Sequence, residues 1–249
     1  MNFGGLWAVK DVDFFIGTGE VVGLIGPNGS GKTTFLNIIS GLYRATDGVV
    51  TLQGEDITGL RPFEIFKKGV ARTYQSSRLC WDLSVADNIL MGLHTKQKAS
   101  FLDVLFRPKK ANDEIYGYLQ ECMDVLSCFN PALFNRRYDL ARDIPHIDRR
   151  RVEISRALVG RPALLLLDEP TAGLNDEETA QMMGDIRKIK EKIKDICIII
   201  IEHDMKVMER VTERVVVFNA GRKIAEGAYR DVIRDKNVIG AYLGGGLHG

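Results

Sequence analysis

The sequence predicts an α/β fold, a largely parallel, doubly wound sheet with an inserted helical lobe. Three observations predict it. Two uninterrupted apolar runs, residues 163–167 and 196–201, each end in an acidic cluster, Asp168-Glu169 and Glu202-His203-Asp204, as strands buried on both faces do when their carboxyl ends meet a ligand. A third apolar run, residues 21–25, enters a glycine-rich turn and then a helical pattern. Residues 84–158, by contrast, carry no strand signal and read as helix. Strands alternating with helices pair in parallel, because each helix is the crossover.

Taken in order, residues 21–25 form the first buried strand. The helix from Lys32 carries Phe35, Leu36, Ile38 and Ile39 on its apolar side and stops at Ser40-Gly41, a good C-terminal signal. Residues 48–53 read as a strand, and Pro62 suits the first turn of a helix running to about residue 68. Helices are expected at 86–93, 113–126 and 149–158. Between the two acidic-ended strands lies an amphipathic helix with Met182, Met183, Ile186, Ile189 and Ile193 on one side. Residues 215–218 and 223–225 flank Asn219-Ala220-Gly221 as a hairpin.

Composition narrows the function classes. The chain has 249 residues, with 34 basic and 33 acidic side chains and a formal charge of +1. So even a balance argues against nucleic acid as the main partner, which favours a basic excess. Hydrophobic residues at 45% and charged residues at 27% fit a globular chain able to bury its own core. No apolar run approaches the roughly 18 residues of a membrane span, and the N-terminus has no secretory pattern. Composition alone therefore reads as soluble and cytosolic. Cys80, Cys122, Cys128 and Cys197 match no zinc spacing and read as reduced, mostly buried thiols.

Gly26-Pro27-Asn28-Gly29-Ser30-Gly31-Lys32-Thr33 fits GxxxxGK[ST] between a strand and a helix. Glycines let backbone amides turn inward around phosphates at a helix N-terminus. Lys32 is expected on the β- and γ-phosphates and Thr33 on Mg²⁺, so ATP and Mg²⁺ are the expected cofactors. Asp168, at the end of a buried strand, is expected to hold the metal through water. Glu169 beside it is expected to polarise the attacking water. His203, at the end of the next strand, is expected to contact the γ-phosphate and sense its loss, and Gln75 to report metal occupancy to the helical lobe.

In their order, these residues resemble the ATPase subunit of an ABC transporter, a P-loop NTPase with a RecA-like parallel sheet core, an antiparallel β subdomain and an inserted α-helical subdomain. Residues 26–34, closing with Thr34, look like Walker A, Gln75 like the Q-loop, 164–170 like Walker B, 172–175 like the D-loop and His203 like the switch histidine. The resemblance implies one cassette, with 1–75 and 159–249 forming the RecA-like and antiparallel lobe and 76–158 the helical lobe. A narrower resemblance, to cassettes serving branched-chain amino-acid importers, rests on FGGLWAV at 3–9, VARTYQ at 70–75, AGLN at 172–175 and VIGAYLG at 238–244. It implies that Phe3 stacks on adenine, with Val9 also at the nucleotide. Sibling branches serve urea and short amides or extract lipopolysaccharide, and a non-transport regulatory ATPase is the rival from another class. The implied partners are transmembrane permease subunits, a second ATPase subunit and, indirectly, a periplasmic or extracellular binding protein. The implied location is the cytoplasmic face of the inner or plasma membrane.

Two departures from the family pattern stand out. Where LSGGQ belongs, the chain reads Ile144-Pro145-His146-Ile147-Asp148, followed without a gap by family-like residues 151–158. Pro145 has neither hydroxyl nor amide hydrogen, Ile147 is expected to crowd the nucleotide, and Asp148 to bring negative charge near it. The expectation is a heterodimer with a second subunit whose signature is intact, a diverged inactive paralogue being the alternative. At the N-terminus only Met1-Asn2 precede Phe3, where the family has a strand and a turn. The expectation there is an exposed sheet edge, from either a late start or one strand fewer.

Overall fold

The computed structural model describes residues 1–75, 77–94, 108–127, 129 and 131–244. In chain order the strands are β1 (Asn2–Phe3), β2 (Leu6–Trp7), β3 (Val21–Ile25), β4 (Thr51–Leu52), β5 (Glu55–Asp56), β6 (Val70–Arg72), β7 (Leu164–Asp168), β8 (Cys197–Ile201), β9 (Arg214–Asn219) and β10 (Arg222–Gly227). The helices are α1 (Lys32–Ile39), α2 (Pro62–Lys67), α3 (Val85–Leu90), α4 (Pro108–Ser127), α5 (Pro131–Asn135), α6 (His146–Leu158), α7 (Asp176–Lys192), α8 (Met205–Val211), α9 (Tyr229–Val232) and α10 (Lys236–Gly244).

Six strands form the main sheet in the order β10-β9-β3-β8-β7-β6. Five run parallel, and β10 turns back antiparallel on β9. Leu164–Asp168 and Val21–Ile25 are buried at every position, the burial that helices on both faces impose on parallel strands. Because β3, β6, β7 and β8 are parallel, Gly26, Gln75, Glu169 and His203 follow strand ends on one edge of the sheet. A doubly wound sheet places its ligand crevice there.

One face of the sheet buries Leu165, Leu167, Ile198 and Ile200 against Met182, Met183, Ile186 and Ile189 of α7. The other buries Leu24, Leu166, Ile199 and Phe218 against Phe35, Leu36 and Ile39 of α1. A third cluster lies among the helices between β6 and β7, including Leu79, Val85, Ile89, Leu126, Leu133 and Val152. Helix α6 belongs to both sides. Its Ile147, Ile154 and Ala157 face the sheet cluster, and Val152 faces the helical one.

Several local expectations needed adjusting. The strand expected at 48–53 shrinks to β4, because Gln53 and Gly54 both adopt positive φ and turn the chain into β5. Helix α6 begins three residues earlier than expected, with Pro145 as its N-cap. The antiparallel β part expected beside the parallel core is present as two separate two-stranded sheets, β1-β2 and β4-β5. The thiols are less buried than expected. Cys122 is fully enclosed, and burial pushes it up to about 12, but Cys80 and Cys197 are half-buried. Cys128 lies outside the described residues.

Candidate functional site

The phosphate loop follows β3 and closes on α1. Its glycines do different jobs. Gly26 has φ 144°, and a Cβ there would lie 2.1 Å from the Phe218 carbonyl oxygen. Gly31 has φ 105°, and its Cβ would lie 2.3 Å from the Ala8 carbonyl oxygen. Neither position admits a side chain, since backbone on the far side has nowhere to move. Gly221 N–H donates to the Ser30 carbonyl (3.0 Å), tying the β9–β10 turn to the loop. Lys32 folds back, Nζ donating to the carbonyls of Gly26 (2.7 Å) and Pro27 (3.0 Å). Burial pushes the Lys32 ammonium down from its ordinary value, and the charges of Glu169 and Asp168 oppose that. Thr33 is exposed and Thr34 half-buried at the start of α1.

The acidic pair sits at the end of β7. Glu169 has φ 50°, an uncommon conformation for a non-glycine residue and one that costs about 1–3 kcal/mol where the surroundings enforce it. Its amide donates to the Ile201 carbonyl (2.9 Å), so the neighbouring strand fixes it. Both carboxylate oxygens are engaged: Gln75 Nε2 donates to Oε2 (2.8 Å), and His203 Nε2 lies 2.8 Å from Oε1. Two residues singled out in the sequence, Gln75 and His203, thus converge on the carboxylate of a third, Glu169.

Asp168 is held by a residue the sequence reading did not single out. Arg72 Nη2 lies 2.8 Å from Asp168 Oδ2, with the two side chains only 5% and 7% exposed. Arg72 Nη1 also donates to Asn37 Oδ1 (2.7 Å) and Ser40 Oγ (3.0 Å) on α1. The available signal was a lone charge ending the apolar strand Val70-Ala71-Arg72, since a buried charge requires a partner. Asp168 Oδ1 carries no hydrogen bond among the described residues. With the Thr33 hydroxyl and the Gln75 amide it supplies hard oxygen donors, a chemistry that fits Mg²⁺ held mostly by nucleotide phosphates.

Beside this site Glu202 accepts from the Thr171 amide (2.8 Å) and hydroxyl (2.6 Å). Burial raises its carboxyl above the ordinary range against the pull of those bonds. Phe3 is exposed and stacks edge-on against Tyr43, with centroids 5.5 Å apart. Val9 is buried in the sheet core and not exposed as a contact surface.

At the start of α6 two expectations are corrected. Ile147 is 7% exposed and points into the sheet core, so it does not crowd outward. Asp148 is 8% exposed and pairs with Arg151 (2.8 Å), which pairs in turn with Asp185 of α7 (2.8 Å). Its charge is compensated within the chain. Pro145 caps the helix with no side-chain hydrogen bond.

The model of the ABC transporter family matches residues 9–172. The high-affinity branched-chain amino acid transport ATP-binding protein BraF of Pseudomonas aeruginosa is 36% identical over 247 residues, covering 98% of this chain and 94% of that protein. LivG of Escherichia coli, of the same description, is 35% identical over the same coverage. The ADP conformation of MJ1267, an ATP-binding cassette of an ABC transporter, superposes with a TM-score of 0.82 at 28% identity, covering 98% of this chain and 95% of that one. The parallel sheet with its phosphate loop is thus the P-loop fold of these cassettes. The chain belongs to the ABC transporter family, as an ATP-binding subunit.

Proposed function

We propose that this chain powers an importer of branched-chain or other hydrophobic amino acids by hydrolysing ATP. It does so as one of two unlike ATPase subunits bound to permease subunits at the cytoplasmic face of the membrane. The observation that carries the hydrolytic reading is the convergence of Gln75 and His203 on Glu169, one residue beyond Asp168. The amino-acid reading rests on the likeness to BraF and LivG over nearly the whole chain. No helix among the described residues is long and apolar enough to cross a membrane.

In this reading Gly26 and Pro27 shape the turn, the loop amides from Asn28, Gly29, Ser30 and Gly31 cradle the phosphates, and Lys32 exchanges its loop carbonyls for phosphate oxygens. Thr33, Asp168 and Gln75 would hold Mg²⁺, which supplies charge neutralisation on the phosphates when bound. Glu169 is the general base. Each of its oxygens already serves one hydrogen bond and keeps a further lone-pair site for a water proton, and release of Gln75 or His203 on nucleotide binding would leave it the stronger base. His203 is then within reach of the γ-phosphate. Thr34 follows at the helix start, Phe3 offers its face to adenine, and Val9 lies in the core cluster with Phe35 and Leu36 of α1.

Pro145 supports the heterodimer. In the family a hydroxyl and amides at this helix end face the nucleotide of the opposite subunit, and proline offers neither. The test is ATP turnover by this chain alone, and by the complex purified through it, against Glu169→Gln, with uptake of labelled leucine and of urea in parallel. Fast turnover by the isolated chain, abolished in Glu169→Gln, counts against the unlike pair. Uptake of urea but not leucine would move the substrate to amides, and ATPase activity without any uptake would favour a regulatory role.

A further inference from the structure

Helix α6 grips the main chain that follows β6. Arg150, Glu153 and Arg156 are spaced three apart and lie on one face of that helix. Arg150 Nη2 donates to the Gln75 carbonyl (2.7 Å), and Nη1 to the Tyr74 carbonyl (3.2 Å). Glu153 Oε1 accepts from the Arg78 amide (3.0 Å), and Arg156 Nη1 donates to the Arg78 carbonyl (2.8 Å). Arg150 Nη2 also reaches the Ala172 carbonyl (3.4 Å), just beyond Asp168-Glu169-Pro170. Arg150 and Glu153 are themselves paired at 3.1 Å, their side chains 8% and 4% exposed.

One guanidinium therefore touches the carbonyl of the residue that holds Glu169 Oε2 and the loop that leaves Glu169. A planar fork with donors on two arms can span separate carbonyls in fixed geometry, whereas an ammonium can still donate to one of them but holds the two less rigidly. Arg150 lies between two arginines in a run, and helical rotation sends the three to different neighbours. Arg149 reaches the Arg142 carbonyl, and Arg151 reaches Asp148 and Asp185.

We propose that Arg150 is a positioning residue for ATP hydrolysis, setting where the Gln75 amide lies against Glu169 by fixing the Gln75 carbonyl and the Ala172 carbonyl together. The inference rests on the hydrolytic reading above and adds a residue to it. It gives α6 a task inside its own chain whether or not its N-terminus serves a partner's nucleotide.

The test is steady-state ATP hydrolysis by the full chain in the complex purified through it. Arg150→Met is expected to lower kcat about tenfold or more with KM for ATP within about twofold, since the phosphate loop is untouched. Arg150→Lys is expected to recover part of the loss. In a Gln75→Ala background, Arg150→Met is expected to cost less than about twofold more, because residues acting through one group are not additive. An unchanged kcat in Arg150→Met, a loss that adds in full to that of Gln75→Ala, or a kcat for Arg150→Lys no better than for Arg150→Met would each overturn the inference while leaving hydrolysis intact. A wild-type complex without ATPase activity overturns the hydrolytic reading and this inference with it. If Arg150→Met fails to fold, the comparison of Arg150→Lys with wild type in both backgrounds decides.

Discussion

His203 Nε2 lies 2.8 Å from Glu169 Oε1 although the two residues belong to neighbouring strand ends 34 positions apart. The parallel pairing of β7 with β8, with Asp168 opposite Ile201, creates that closeness. His203→Ala is expected to slow hydrolysis by about 10²-fold or more, the usual scale for losing one oriented group at a developing charge. Affinity for ATP should stay within about twofold, because the loop residues that bind phosphate are unaltered. Nucleotide titration beside steady-state turnover separates the two quantities, and a matched loss in both would count against a role in the chemical step.

Arg72 and Asp168 are enclosed together, so removing one leaves the other a buried, uncompensated charge. Arg72→Met is expected to destabilise the chain by about 3–5 kcal/mol. Arg72→Met combined with Asp168→Asn should recover much of that loss, because no charge then remains to be solvated. Urea denaturation of wild type, the two single variants and the double variant checks both statements, and full additivity in the double variant would refute the coupling.

The degenerate signature splits into a replaceable part and a fixed part. Pro145 is exposed, and Pro145→Ser gives α6 a side-chain cap worth about 1 kcal/mol, offset by greater freedom of the unfolded chain, about 0.4–1 kcal/mol. Its net effect on stability should be small, and turnover by the transport complex should rise. Ile147→Gly empties a core position and puts glycine in a helix, an expected loss of about 3–6 kcal/mol. Denaturation midpoints compare the two variants, and equal losses would contradict the inward placement of Ile147.

Glu202 carries a pH prediction. Its folded carboxyl is raised from the ordinary 4.5 by burial, so the folded chain holds a proton that the unfolded chain releases. Its contribution to stability is full below about 4.5 and is lost as pH rises through the raised value. Glu202→Gln has no such proton to lose, so its stability relative to wild type is expected to increase from pH 4 towards pH 8. Thermal midpoints across that range measure the trend, and a difference that shrinks with rising pH would reverse the sign.

Much of the site was legible in the chain because its parts are local. Gly26 through Thr33 is a contiguous loop, and Asp168-Glu169 and His203 each close an apolar run whose burial forces them to a strand end. Alternation of strands and helices then puts those ends on one edge, so their meeting follows from topology. Arg72 was passed over because its partner Asp168 lies 96 residues away, and no local pattern announces a pair of that separation. Ile147 and Asp148 were assigned outward because a motif gives position but not helical phase. Phase was set by packing, which turned Ile147 into the sheet core and left Asp148 to Arg151.

By itself, then, the sequence determined the phosphate loop, the acidic strand ends and the alternating architecture, since each depends on neighbours within a few positions. Tertiary structure alone decided that Arg72 neutralises Asp168, that Gln75 and His203 share Glu169, and that α6 faces inward. Those arrangements arise where buried charges and apolar surfaces from distant segments must satisfy one another at once, and only the packed chain brings them within reach.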